Sequence, residues 1–191
     1  MKALFISGAL LLATGFAHAQ QHSNVHVGLK GGLNISNIAS SPDANYESKA
    51  GFHAGGLMHV HLNKSWALQP EIMYSAQGAQ TENTKIRLNY VNVPLQLQYM
   101  FDKGFRIQTG PQLGILAGAT MKQGDSKVDV KESFNGADFG WTIGASYVGD
   151  GGLGIDGRYN HGITRINEND GTNLYNRGFQ VGLFYVFRHK Y

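Results

Sequence analysis

The stretch from Leu88 to Ala119, LNYVNVPLQLQYMFDKGFRIQTGPQLGILAGA, constrains the fold more than any other part of the chain. In its first half Val91, Val93, Leu95, Leu97, Tyr99 and Phe101 alternate with Asn92, Pro94, Gln96, Gln98 and Met100. A tight Asp102-Lys103-Gly104 turn follows. Alternation then resumes, with Phe105, Ile107, Thr109, Pro111, Leu113, Ile115 and Ala117 on one face and Arg106, Gln108, Gly110, Gln112, Gly114 and Gly118 on the other. A period of two sends successive side chains to opposite faces of a strand. The stretch is therefore a β-hairpin with one apolar face and one polar, glycine-rich face.

Two solvents suit such a hairpin. A soluble sandwich turns the apolar face to a core. An outer-membrane barrel turns it to lipid and lets the polar face line the lumen. Length separates the two, because soluble strands favour about 5–6 residues and membrane-spanning ones need roughly 9–11. The alternation runs unbroken from Val91 to Phe101 and from Phe105 to Ala117, the longer kind.

The same pattern recurs along the chain. Strands are predicted over Val25–Ser36, Gly51–Leu62, from Trp66 through Ser75, over the two arms of the hairpin, from Asp138 through Tyr147, from Leu153 through Asn160, and from Phe179 through Phe187. That makes eight. Asn63-Lys64, Asp102-Lys103-Gly104 and Gly149–Gly152 are short turns, whereas Asn37–Lys49, Gln77–Lys85, Lys122–Asn135 and Thr164–Asn176 are long and polar. Short turns at one end and long loops at the other suit an all-β, eight-stranded, antiparallel up-and-down transmembrane β-barrel with both termini periplasmic. Lipid cannot hydrogen-bond an open strand edge, so the first strand is expected to pair with the last. Pro94 and Pro111 lack a ladder donor and are expected to bring a bulge or local irregularity.

Aromatic residues give an independent test. On this topology Trp66, Tyr99, Phe101, Phe105, Tyr147, Tyr185 and Phe187 fall outward near the turn end, and Phe52, Tyr74, Phe139, Trp141, Tyr159 and Phe179 near the opposite rim. Two aromatic girdles at two interfaces are what a bilayer selects.

Composition narrows the class. Residues 1–19, MKALFISGALLLATGFAHA, read as a secretory signal peptide with Lys2 before an apolar run and Ala17-His18-Ala19 at the cleavage point. Residues 20–191 are then one barrel domain. Cysteine is absent, which excludes disulfides, thiolate catalysis and Cys–zinc sites. The net charge of +3 is spread along the chain, so no basic patch points to nucleic acid.

The chain resembles the PorT-like outer-membrane β-barrel family of Bacteroidetes-type bacteria. The resemblance rests on Tyr90-Val91-Asn92-Val93-Pro94-Leu95 with Gln98-Tyr99, on Gly110-Pro111-Gln112-Leu113-Gly114, on Gly157-Arg158-Tyr159 with Gly162-Ile163-Thr164, and on Gly51-Phe52-His53-Ala54-Gly55. It implies an outer-membrane location and an eight-stranded barrel, and little about activity. The member that names the family is tied to protein secretion, and no residue here carries that role over.

Alternation places Lys30, Glu71, Arg106, Asp138, Asp156 and Arg158 in the lumen. An eight-stranded barrel is just wide enough for side chains to fill, and buried charges are costly unless paired. A structural salt-bridge network is expected, with Glu71, Arg106 and Arg158 its leading members. His53, His59 and His61 share the lumenal face but lack the ligand set of a zinc site, and no cofactor or metal is expected. Ser75 and His161 do not form a recognisable nucleophile arrangement, and no enzyme is expected. Tyr191, with Phe187, resembles an aromatic C-terminal signal for the barrel-assembly machinery. Membrane lipid and that machinery are the expected partners. The leading function is a structural or loop-mediated binding barrel. A narrow channel, transporter or secretion-associated barrel, and a soluble lipocalin-like barrel with its apolar face inside, are the alternatives.

Overall fold

The computed structural model describes residues 24–41, 47–80, 84–124, 126–167 and 173–187. Nine strands run in chain order: β1 (Val25–Ser41), β2 (Glu47–His61), β3 (Trp66–Gln80), β4 (Thr84–Met100), β5 (Phe105–Gln123), β6 (Ser126–Asp129), β7 (Ala137–Val148), β8 (Leu153–Gly162) and β9 (Asn173–Val186). Eight of them form the wall. Each pairs antiparallel with its neighbour, β5 with β7, and β9 returns to β1 from Gly28↔Val186 to Ser41↔Asn173. The closed ring satisfies every edge that lipid would leave bare. The short β6 folds back on β5 and lies outside the wall.

The predicted phase is the observed one. Leu95, Ile115 and Leu183 are 41%, 47% and 59% exposed on the outer surface, whereas Arg106 is 1% exposed inside. A lipocalin-like barrel would invert this, so that alternative is overturned. The girdles form as well. At the turn end Trp66, Tyr99, Phe101 and Phe105 run in ring contact at 5.1, 4.8 and 5.6 Å. At the loop end Phe52 meets Tyr74 at 5.7 Å and Tyr159 meets Phe179 at 4.8 Å.

The turns at one end are as short as their sequences suggest. The Asn63 side chain accepts the backbone N–H groups of Ser65 and Trp66, both at 2.9 Å, and so shapes the β2–β3 turn. Lys103 and Gly104 reverse the chain at positive φ, 65° and 85°.

Two expectations are corrected, and the irregularity expected at the prolines takes a definite form. First, the strands climb well past their predicted ends at the loop end. β3 reaches Gln80 and β4 starts at Thr84, so the long loop expected over Gln77–Lys85 is mostly ladder. Above the lipid belt neither face has to be apolar, so alternation fades while pairing continues. The prolines do not shift the register. Pairing skips Glu71 and Ile72 opposite Pro94 and Val93, and Leu95 and Gln96 opposite Pro111 and Gly110, then resumes in the same register. The irregularity is a ladder gap, and the register shifts lie at Ser48/His53 and Asn89/Tyr90. Second, the shift at Asn89/Tyr90 leaves Ala117 as an extra residue in β5. Tyr90 faces Leu116 and Asn89 faces Gly118, which turns Gly118 to the outward row and sends Ala119 inward.

That bulge matters because the interior is not uniformly polar. At the loop end an apolar cluster fills the lumen, built from Ile38, Ile86, Leu88, Tyr90, Leu116 and Ala119 with Phe134 and Ile166 from the loops. The two loops are tied together by a bridge between Phe134 and Asn167 and by the Asn135 N–H bond to the Ile166 carbonyl at 2.8 Å. Near the turn end a smaller cluster of Leu57, Val148, Phe184 and Val186 lies inside. The polar network occupies the lumen between and beside these clusters.

Candidate functional site in the barrel lumen

Three strands converge on one charged quartet. Arg158 and Asp156 are two apart on β8 and share its inward face, Glu71 projects from β3, and Lys30 from β1. The Arg158 guanidinium donates two bonds to Glu71, Nη1 to Oε2 at 3.0 Å and Nη2 to Oε1 at 2.9 Å. Its Nε donates to Asp156 Oδ2 at 3.1 Å. The Lys30 ammonium donates to the same Asp156 oxygen and lies 3.8 Å from Glu71 Oε2. Two cations and two carboxylates cancel, with side chains no more than 2% exposed. The fork of arginine fits a carboxylate in two places at once, which fixes geometry as well as charge.

Amides complete the shell. Gln69 Nε2 donates to Glu71 Oε1 at 2.7 Å, Gln98 Nε2 to Gln108 Oε1 at 2.9 Å, and Gln96 exchanges bonds with Thr142. Towards the loop end His53 Nδ1 sits 2.7 Å from Asn34 Oδ1, and Asn34 Nδ2 donates to Ser75 Oγ at 2.9 Å. These partners lie on the face that alternation marks as lumenal, but the sequence holds nothing that tells which of them meet.

Glycine makes the room. Gly144 faces Arg158 across the β7–β8 pair, and a Cβ there would lie 2.7 Å from Arg158 Cβ and 2.3 Å from the Gly157 carbonyl oxygen. Gly114 faces Asp138, and a Cβ would meet the carboxylate at 2.2 Å. Charged side chains fit a narrow barrel because the paired position on the neighbouring strand is bare at these points.

The six lumenal charges predicted from sequence thus fall into three places. Lys30, Glu71, Asp156 and Arg158 come together. Arg106 does not join them, contrary to the expected grouping with Glu71 and Arg158. It is the second residue of β5, at the turn end, and its Nη1 lies 3.5 Å from His59 Nδ1. Asp138 lies at the other extreme, near Tyr90 and Asn176. Strand phase tells which way a side chain points, whereas height within the barrel depends on cross-strand register.

His26, His59 and His61 cluster at the turn end, whereas His53 lies higher in the lumen beside Asn34. The His61 ring is 4.6 Å from His59 and 5.5 Å from His26, edge to face. Among the described residues no group of three or more His, Cys, Asp or Glu side chains is arranged to hold a metal ion. Ser75 is buried in the lumen on β3, and His161 is exposed on β8 beside Tyr159. The two are not brought together. Phe187 is outward, in ring contact with Tyr185 at 5.2 Å. Tyr191 and residues 1–19 lie outside the described residues.

The comparisons agree with this geometry. Neisserial surface protein A is similar in structure at 16% identity and a TM-score of 0.60, over 83% of this chain and 96% of that one. Ail, the attachment invasion locus protein of Yersinia pestis, solved with the heparin analogue sucrose octasulfate, is similar at 11% identity and a TM-score of 0.50, over 85% and 99%. At such identities the likeness is one of fold. No curated protein matches the sequence. A family model described as outer membrane protein beta-barrel domain matches residues 18–168. The chain belongs to that family: it is an eight-stranded barrel of the Gram-negative type of outer membrane.

Proposed function

We propose that this barrel is closed to solutes and works as a membrane-anchored scaffold whose loop end binds a partner. The observation that supports this reading most is the neutral Lys30–Glu71–Asp156–Arg158 quartet, cross-linked from three strands and buried in the lumen. Ions would have to pass a charge-balanced, cross-linked lattice and then the apolar cluster at the loop end. Removing either obstacle means breaking buried contacts, which argues against a conducting role. Loops on a rigid scaffold are where binding concentrates. The ties between Phe134, Asn135, Ile166 and Asn167 give this loop end a defined surface.

The finer assignments belong to the same proposal. The loop end faces outward from the cell and both termini lie in the periplasm. The likeness to PorT-like barrels is one of architecture. Tyr191, with Phe187, serves recognition by the assembly machinery. Recording from the full-length protein in planar bilayers tests the central claim. No steady conductance is expected, and a large steady current in the wild type would refute it. Since the chain has no cysteine, single cysteines placed at Lys64 or Lys127 and labelled from outside intact cells test the orientation. Labelling at Lys127 alone is expected, and labelling at Lys64 alone would reverse it.

A further inference from the structure

Three lysines stand side by side on the outward face where β6 extends the wall. Lys85 of β4 pairs directly with Lys122 of β5, and Lys122 pairs directly with Lys127 of β6. All three are exposed, and all point outward, since Ile86 and Met121 beside them face the interior cluster. Arg87, also exposed, lies in the next row down, opposite Thr120. Directly opposed residues on one face of an antiparallel pair have their Cβ atoms about 4.5–5.5 Å apart, and like charges there repel. Asp129 stands diagonally across from Lys122, and Glu47 ends the row beyond Gln80. Even so, among the described residues no carboxylate is within ion-pair distance of the three lysines.

The height of the row decides the partner. The outward apolar surface of these strands ends at Tyr74, Val91 and Ile115, which form one lateral row. Lys85 is six residues further along β4. At about 3.4 Å per residue and a tilt of about 40°, the lysines stand roughly 15 Å above that row. They lie on the side of the cylinder, and headgroups rise only about 5–8 Å past the hydrocarbon edge, so their long flexible stems have to reach down along the wall to meet them.

We infer that the Lys85–Lys122–Lys127 row, with Arg87 beneath it, binds the phosphates of the glycolipid headgroups surrounding the loop end. The cations offset their mutual repulsion by sharing anionic lipid, and the barrel gains a fixed depth in its leaflet. This inference rests on the proposed outward-facing loop end for its biology. Its binding test does not depend on orientation, because mixed micelles present lipid to both rims.

The test uses the full-length protein and a triple variant, K85Q/K122Q/K127Q, with all flanking acids retained. Native mass spectrometry counts bound lipid at matched concentrations of diphosphoryl lipid A and its dephosphorylated form. The wild type is expected to prefer the phosphorylated form at least tenfold, and the triple variant to lose that preference. Melting gives a second reading that a folding defect cannot imitate. Without lipid A the variant should melt at a higher temperature than the wild type, and with diphosphoryl lipid A the order should reverse. Equal binding of both lipid forms by the wild type would overturn the inference. So would a lower lipid-free melting temperature in the variant, which would mean that the lysines are already neutralised within the protein. Binding of inorganic phosphate or a sulfated glycan that matches or exceeds lipid A would assign the row to a soluble anion and overturn the lipid assignment.

Discussion

Removing Arg158 should destabilise this barrel more than removing both members of its bidentate pair. Arg158 contacts Glu71 at 3.0 and 2.9 Å and Asp156 at 3.1 Å. In R158A, Glu71 and Asp156 stay buried with Lys30 as the one remaining cation of the quartet. Breaking a buried pair by deleting one partner costs about 3–5 kcal/mol, because an uncompensated charge is left behind. Domains are stable by about 5–15 kcal/mol in total, so this is a large fraction. The double variant E71Q/R158Q removes one charge of each sign, leaves the Lys30–Asp156 pair, and offers amides to Gln69 and Asp156. Its cost should fall below the sum of the E71Q and R158Q costs by about 2 kcal/mol. Urea unfolding in lipid vesicles measures this, read by the fluorescence of Trp66 and Trp141, the two tryptophans of the chain. Additive costs, or a cost below about 1 kcal/mol for R158A, would show that the quartet is not an energetically coupled unit. R158A should still carry no steady current, since the loop-end cluster remains.

Other substitutions probe the rest of the construction. Leu95→Arg puts a cation on the lipid face and should cost about 2–4 kcal/mol in vesicles if Leu95 sits near the midplane; an unchanged urea midpoint would place it in water. Gly144→Ala drives a Cβ into the Gly157 carbonyl and the Arg158 stem and should cost about 1–3 kcal/mol by overpacking, seen as a lower melting temperature. Phe134→Ala empties part of the loop-end cluster, where Phe134 is 7% exposed. It should cost about 3 kcal/mol and speed proteolysis of the loops; unchanged cleavage rates would mean that Phe134 does not hold them.

What the sequence determined by itself is the direction of side chains. Period-two alternation is a local property, so Leu95, Ile115 and Leu183 could be assigned to lipid and Glu71, Arg106 and Arg158 to the lumen without knowing any neighbour. The short turns were equally legible, because Asn63, Gly104 and Gly152 act within a few residues. Height, register and company were not. Arg106 and Arg158 look alike in sequence, yet one stands beside His59 and the other grips Glu71, because contact across a barrel depends on the stagger of strands far apart in the chain. The same holds for the apolar plug. Ile86 and Leu88 pack inward because strand pairing continues above the lipid, and the extra residue at Ala117 turns Ala119 toward them. Local chemistry decided which face each residue belongs to, and closure of the ring decided which residues share a level.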